Sequence, residues 1–142
     1  MRIINDWPPN IDAIRAAFPI EGREDVIFSY GDRVYAPCSQ VIHQALQAHE
    51  RVHCERQLSR LGGVEDWGRD YIADPAFRLA EEIPAHLAEY IWWAGRPGAD
   101  RPIDGFRSVR LFHLTKIAQR LASPLYGGLL SLSDAKKAIE GA

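Results

Sequence analysis

Cysteine, excess positive charge and long apolar runs are all scarce in this sequence of 142 residues. Its two cysteines, Cys38 and Cys54, form no CxxC pair, so neither a disulfide framework nor a cysteine-rich zinc ribbon is expected. Lys and Arg total 17 against 19 Asp and Glu, which gives a net charge of −2. Proteins that bind duplex nucleic acid usually carry a basic excess, so no nucleic-acid partner is expected. The two cysteines are expected to be free thiols.

The apolar runs are too short for a membrane span. Tyr90 to Ala94 is among the longest, whereas a spanning helix needs about 20 apolar residues. Near the N-terminus, Pro8 and Pro9 interrupt the chain before the apolar stretch of a signal peptide could form. The sequence therefore predicts neither membrane insertion nor secretion.

Length and composition, with 46% hydrophobic and 25% charged residues, predict a single domain over residues 1–142. A small hairpin followed by helices makes its predicted class α+β. Residues 1–38 should contain a short helix at 11–18 and a β-hairpin, because two β-rich runs flank Gly31-Asp32. A small sheet is then followed by helices.

The helices are predicted from caps and breakers. Ser39 and Gly62-Gly63 bound a helix over 39–62, and Asp74-Pro75 begins another over 74–94. Pro84 predicts a kink or break in the second of these helices.

The rest of the chain is predicted from weaker signals. Residues 63–73 are expected to form a linker that holds Trp67 and Tyr71, and helices are expected within 106–140.

The motif that carries chemistry is HExxH, formed by His49, Glu50 and His53. Residues four apart lie one turn apart on the same face of a helix, so both imidazoles can reach one Zn²⁺. The intervening carboxylate can act as general base toward a metal-bound water. Both histidines continue the apolar stripe of the predicted helix, which directs them inward. The alternative is a pair of core histidines held by hydrogen bonds.

A catalytic zinc site needs a third protein ligand and one open position. The chain lacks the downstream histidine of the metzincin pattern, so a carboxylate from another helix is expected. Glu81 and Glu82 lie in the predicted helix over 74–94, and either could serve. His113 and Tyr71 have side chains of the type that stabilises a developing oxyanion.

These motifs resemble those of the gluzincins, the thermolysin-like zinc metallopeptidases, in a small single-domain form. The resemblance implies a zincin-like fold with a small sheet over the active-site helix. It also implies Zn²⁺ bound by His49, His53 and Glu82, with Glu81 as the alternative third ligand and Glu50 as the catalytic base. The family often has a supporting polar group four residues after the ligand Glu, where this chain has His86.

A second resemblance covers most of the chain. The hairpin, the HExxH helix, the Glu doublet and the tail from Arg120 to Gly127 are similar to small HExxH proteins of tailed phages and prophages. It implies a bacterial cytoplasm or a phage particle as the location.

Two hypotheses for the function follow. The first hypothesis is a zinc peptidase acting on a peptide or protein. The alternative is a catalytically silent zincin-fold protein that binds a virion partner or itself. Three features favour it: Arg51, Pro84 and the aromatic end of a helix at Trp92-Trp93.

Overall fold

The computed structural model describes residues 1–141, which form six α-helices, one 3-10 helix and one three-stranded sheet. This mixed architecture confirms the predicted α+β class. The elements in chain order are β1 (Arg2–Ile4), α1 (Ile11–Ala17), β2 (Phe28–Tyr30), β3 (Arg33–Tyr35), α2 (Gln44–Ser59), α3 (Gly63–Ala73), α4 (Pro75–Ala94), α5 (Val109–Leu121), the 3-10 helix (Pro124–Tyr126) and α6 (Leu132–Gly141).

The sheet is built on the predicted hairpin. β2 and β3 are antiparallel, and Tyr30 pairs with Arg33 across the two-residue turn. Gly31 in this turn has a φ of 67°, a left-handed conformation that glycine adopts without a side-chain clash. β1 adds in parallel to the other side of β3, so the strand order β1-β3-β2 leaves β2 at an edge of the sheet.

The helix that carries HExxH is shorter than predicted. It begins at Gln44, and His43 caps it by accepting a hydrogen bond at Nδ1 from the Ala45 amide at 3.1 Å. Ser39 has a φ of 53° and lies in the preceding loop, so the prediction that it caps this helix is wrong. Gln40 helps to hold that loop against the hairpin, because its side chain donates to the Val26 carbonyl at 3.2 Å.

Residues 63–73 form the helix α3, so the prediction of a linker is also wrong. Gly62 caps the helix with a φ of 91°, and Glu65 and Asp66 lie in its first turn, where carboxylates favour helix formation. The short segment between Arg60 and Gly63 therefore separates two helices. Trp67 and Tyr71 lie on α3 and stack on each other, with ring centroids 4.7 Å apart.

The helix α4 begins as predicted, because the Asp74 carboxylate accepts hydrogen bonds from the amides of Ala76 and Phe77. It continues through Pro84 to Ala94, so of the predicted kink or break, the break does not occur. Proline removes one amide donor from the helix, and packing on both sides of α4 offsets that loss. Neither α4 nor another helix within residues 1–141 is long and apolar enough to cross a membrane.

The centre of the fold is α4, which packs against α2 on one side and against α5 and α6 on the other. Ser108 caps α5 by accepting from the Leu111 amide, and the helix begins at Val109 rather than near Phe106. The larger apolar cluster lies between these C-terminal helices and consists of Tyr90, Leu114, Ile117, Ala118, Leu121, Ala135 and Ile139. The other face of α4 is left for polar side chains that meet α2.

Candidate metal centre

Four polar side chains meet in a pocket of about 720 Å³ that is partly open to solvent. α2 contributes His49, Glu50 and His53, and α4 contributes Glu82. All four are buried. The walls come from the hairpin, α1, α3 and the 3-10 helix, and are mostly apolar: they include Ile14, Phe18, Ile20, Val26, Phe28, Trp67, Ile72, Leu125 and Tyr126.

His49, His53 and Glu82 each offer one ligand atom within 4.8 Å of the others. The Nε2 atoms of the two histidines are 3.2 Å apart. The His49 Nε2 atom lies 3.7 Å from Oε2 of Glu82, and the His53 Nε2 atom lies 3.4 Å from Oε1. Tetrahedral zinc with bonds of about 2.0–2.1 Å places neighbouring ligand atoms about 3.4 Å apart. The three side chains therefore fit a divalent cation of this size.

An unpaired buried oxygen supports this fit. Oε2 of Glu82 is buried and has no hydrogen-bond partner among residues 1–141. A buried polar atom normally finds a partner, because leaving it unpaired costs about 1–3 kcal/mol and more for a charged group. A cation between the three side chains would satisfy this oxygen and both facing Nε2 atoms.

The charges at this centre suit cation binding. Burial lowers the pKa of His49 to about 3, so its imidazole is neutral and can act as a ligand. Burial also opposes charge on His53 and Glu82, but the two groups attract each other. This attraction raises the pKa of His53 and holds the pKa of Glu82 well below its ordinary value. The Glu82 carboxylate is therefore ionised and attracts positive charge to this position.

Glu50 lies beside the three candidate ligands rather than among them. Its Oε1 atom is 3.9 Å from Nε2 of His49, and Ser29 of β2 donates a hydrogen bond to Oε2. The residue is 6% exposed. Burial raises the pKa of Glu50 to about 7, in spite of the opposing charge of His53 and the Ser29 hydrogen bond. A carboxylate with that pKa can both accept and release a proton near neutrality.

Tyr71, predicted as an oxyanion-stabilising group, and His86, predicted as a supporting group, both contact Glu82. The Tyr71 hydroxyl donates to Oε1 of Glu82. Nδ1 of His86 lies 2.8 Å from the Glu82 main-chain carbonyl and 3.3 Å from Oε2. The ring of His86 is fully buried, and its centroid is 4.5 Å from that of His49. Both residues therefore restrict the orientation of the Glu82 carboxylate.

The structure separates Glu81 from Glu82. Neighbouring residues of a helix point about 100° apart, and Glu81 turns toward α3 and the end of α2. Its carboxylate accepts two hydrogen bonds from Arg56, at 2.7 and 2.8 Å, and one from Trp67 Nε1 at 2.8 Å. These bonds pair both carboxylate oxygens of Glu81, and it is not part of the cluster of candidate ligands.

Other predicted candidates lie elsewhere. His113 does not line the pocket: it stacks on Trp93, with ring centroids 3.5 Å apart, because its face of α5 packs on the end of α4. Cys54, predicted only to be a free thiol, points to the sheet: its Sγ lies 3.8 Å from the Arg33 carbonyl, and it packs with Val34 and Ala36.

Glu89 is a site residue that is not among the predicted ones. Its Oε2 atom is 3.5 Å from Nδ1 of His49, and Arg120 of α5 donates to the same oxygen. Burial opposes its charge, but the His49 contact and the charge of Arg120 lower the pKa of Glu89 to about 2. The sequence feature that could have identified Glu89 is its position seven residues after Glu82. Residues seven apart lie two turns apart on the same face of a helix, so Glu89 faces α2 if Glu82 does.

No family model matches the chain, and neither a curated protein nor a solved structure matches it.

Proposed function

We propose that this protein is a zinc-dependent peptide-bond hydrolase whose metal ligands are His49, His53 and Glu82. The observation that carries the proposal is the spacing of the three facing ligand atoms, at 3.2, 3.7 and 3.4 Å, with Glu50 beside them. Three protein ligands with one position left open are typical of catalytic rather than structural zinc sites. The likeness to gluzincins is part of the proposal and is supported by the same four residues.

A bound zinc ion would lower the pKa of a water molecule toward about 7 and polarise a scissile carbonyl. Glu50 would accept a proton from the attacking water and deliver it to the leaving amine. Its raised pKa of about 7 suits both steps, because proton transfer is most efficient when the pKa of the group lies near the working pH. Tyr71 and His86 would hold Glu82 in place.

The pocket suggests how a polypeptide would bind. β2 is an edge strand of the sheet, and Val26, Ile27, Phe28 and Ser29 line the pocket. An extended peptide can add to such an edge through main-chain hydrogen bonds, with its side chains directed alternately into the cleft. A peptide or protein is therefore the substrate class that we propose.

The alternative is a silent zincin-fold protein that binds a partner. Of the features that favour it, Trp92-Trp93 is half-buried, with the ring of Trp93 stacked on that of His43, and the other two have ordinary surroundings. Arg51 is exposed on the outer face of α2, away from the pocket. Pro84 leaves α4 continuous, and Glu82 still reaches the two histidines. A phage particle or a bacterial cytoplasm remains the location that the second resemblance predicts.

The test compares hydrolysis of a peptide library by zinc-loaded wild type, Glu50→Gln and Glu55→Gln. Glu55 is a matched control, because it is an exposed glutamate on the same helix. We expect Glu50→Gln to retain zinc and lose at least about 100-fold in turnover, the usual contribution of a general base. Glu55→Gln should behave as wild type. Equal turnover by wild type and Glu50→Gln would contradict the proposal.

A further inference from the structure

Gln57 joins α2 to the β2–β3 hairpin through a buried amide. The side chain is 1% exposed, and both of its ends are used. Oε1 accepts a hydrogen bond from the Gly31 amide at 2.7 Å, and Nε2 donates to the Ser29 carbonyl at 3.1 Å. Loss of either bond would leave a buried polar group unpaired, so the two bonds fix the hairpin relative to the helix.

Ser29 lies between Gln57 and Glu50. Its carbonyl is held by Gln57, and its hydroxyl donates to Oε2 of Glu50 at 2.5 Å and lies 3.2 Å from the Glu50 carbonyl. Gln57 follows Glu50 by seven residues, which places both on the same face of α2, two turns apart. Ser29 of β2 is therefore bound to α2 at two residues, Glu50 and Gln57.

We infer that Gln57 and Ser29 form a positioning device for the Glu50 carboxylate. Gln57 sets the position of the hairpin, and the Ser29 hydroxyl then selects the side-chain conformation of Glu50. This inference rests on the proposed function, since it concerns the general base of that reaction. Neither residue is among the candidate metal ligands, and both act through another residue.

The Glu50 carboxylate lies close to the candidate metal position and needs to be kept from binding the metal. Oε1 of Glu50 is 3.9 Å from Nε2 of His49, so the carboxylate is close enough to swing toward a cation held there. A carboxylate that becomes a metal ligand no longer serves as a base. The Ser29 hydrogen bond holds Oε2 on the side of β2, at the pocket wall, and leaves the other oxygen free to meet a water molecule.

The first experiment measures kcat and KM for Ser29→Ala and Ser29→Thr, with Thr115→Ala as the control. Thr115 is a matched hydroxyl, because it donates to the Leu111 carbonyl on α5 outside the pocket. We expect Ser29→Ala to lower kcat by about 10- to 100-fold with KM within about twofold, as for loss of alignment in the transition state. Ser29→Thr should restore kcat, and zinc content should be the same in all three variants.

The second experiment does not depend on turnover. Crystal structures should show one Glu50 conformer in wild type and Ser29→Thr, and a displaced or multiple conformer in Ser29→Ala. Hydrogen exchange of the Gly31 amide should be slow in wild type and fast in Gln57→Leu. If Gln57→Leu does not fold, Gln57→Glu replaces it, and the readout is then the Glu50 conformer. A glutamate keeps the acceptor for the Gly31 amide but loses the donor to the Ser29 carbonyl, so Glu50 should be displaced, and an unchanged Glu50 conformer would contradict a role for Gln57.

The outcomes separate the two claims. An inactive wild type that shows the expected Glu50 conformers would contradict the proposed function and leave the positioning device standing. Wild-type kcat and an unchanged Glu50 conformer in Ser29→Ala would overturn the inference. It would also be overturned if Ser29→Thr failed to restore kcat and the conformer, since the hydroxyl would then not be the positioning group.

Discussion

Glu89 lies beside His49, with its Oε2 atom 3.5 Å from the Nδ1 atom of the imidazole. The Nε2 atom of the same ring faces His53 and Glu82. One imidazole thus contacts a carboxylate on one side and the candidate metal position on the other. In metal sites, a carboxylate beside the outer ring nitrogen of a ligand histidine orients the ring and increases its basicity, and Glu89 is placed to do this for His49 if His49 binds zinc as proposed.

Glu89→Gln should therefore weaken zinc binding by about 10-fold or more, the usual effect of removing a group that orients a ligand. The measurement is zinc affinity by competition with a chromogenic chelator. Glu65→Gln is the control, because Glu65 is exposed on α3. Equal affinities for wild type and Glu89→Gln would show that the contact does not orient His49.

Glu81 and Glu82 should differ sharply in what they contribute. Glu82→Gln should abolish stoichiometric zinc binding, because a neutral amide is a poor ligand for zinc. Glu81→Gln should keep zinc but lose about 1–3 kcal/mol of unfolding free energy, since it disturbs the bonds to Arg56 and Trp67. Zinc analysis and chemical denaturation test both variants. Loss of zinc in Glu81→Gln with retention in Glu82→Gln would reverse the assignment.

Glu50 should make the metal-free protein less stable as the pH rises. Its pKa is raised from 4.5 to about 7 in the folded chain, so folding favours the protonated carboxyl. That stability is present below pH 4.5 and is lost as the pH rises through about 7. Glutamine does not ionise, so Glu50→Gln should be more stable than wild type at pH 8 by up to about 3 kcal/mol.

Denaturation in the presence of a chelator, at pH 5 and pH 8, checks this prediction. Most of the difference should disappear at pH 5, and saturating zinc should reduce it at pH 8 because a cation favours the ionised carboxylate. Glu55→Gln is again the exposed control. A difference between Glu50→Gln and wild type that is the same at both pH values would rule out a raised pKa at Glu50.

Local patterns predicted part of this structure well. The hairpin around Gly31-Asp32, the Asp74 cap and the helical spacing of His49 and His53 depend on neighbouring residues, and all three appear in the fold. The same local reasoning failed at Ser39, whose ordinary preference for a cap was overruled by a loop held against the hairpin. It also missed α3, although Val64, Trp67 and Tyr71 recur at helical spacing.

The parts of the site that were not predicted depend on contacts between distant residues. Ser29 reaches Glu50 from a strand 21 residues earlier, and Arg120 reaches Glu89 from a helix 31 residues later. Neither pair has a local pattern. Glu82 could be preferred over Glu81 only through the resemblance to gluzincins, because the helix period alone does not say which of two adjacent glutamates faces α2.

Zinc content is the measurement that tests the central claim most directly. Wild type, His49→Ala and Glu82→Ala would be purified without a histidine tag, offered zinc, desalted and analysed for metals. The proposed site predicts about one zinc per chain in wild type and loss of that zinc in both variants. A wild type that holds no zinc after this treatment, or variants that hold as much as wild type, would contradict it.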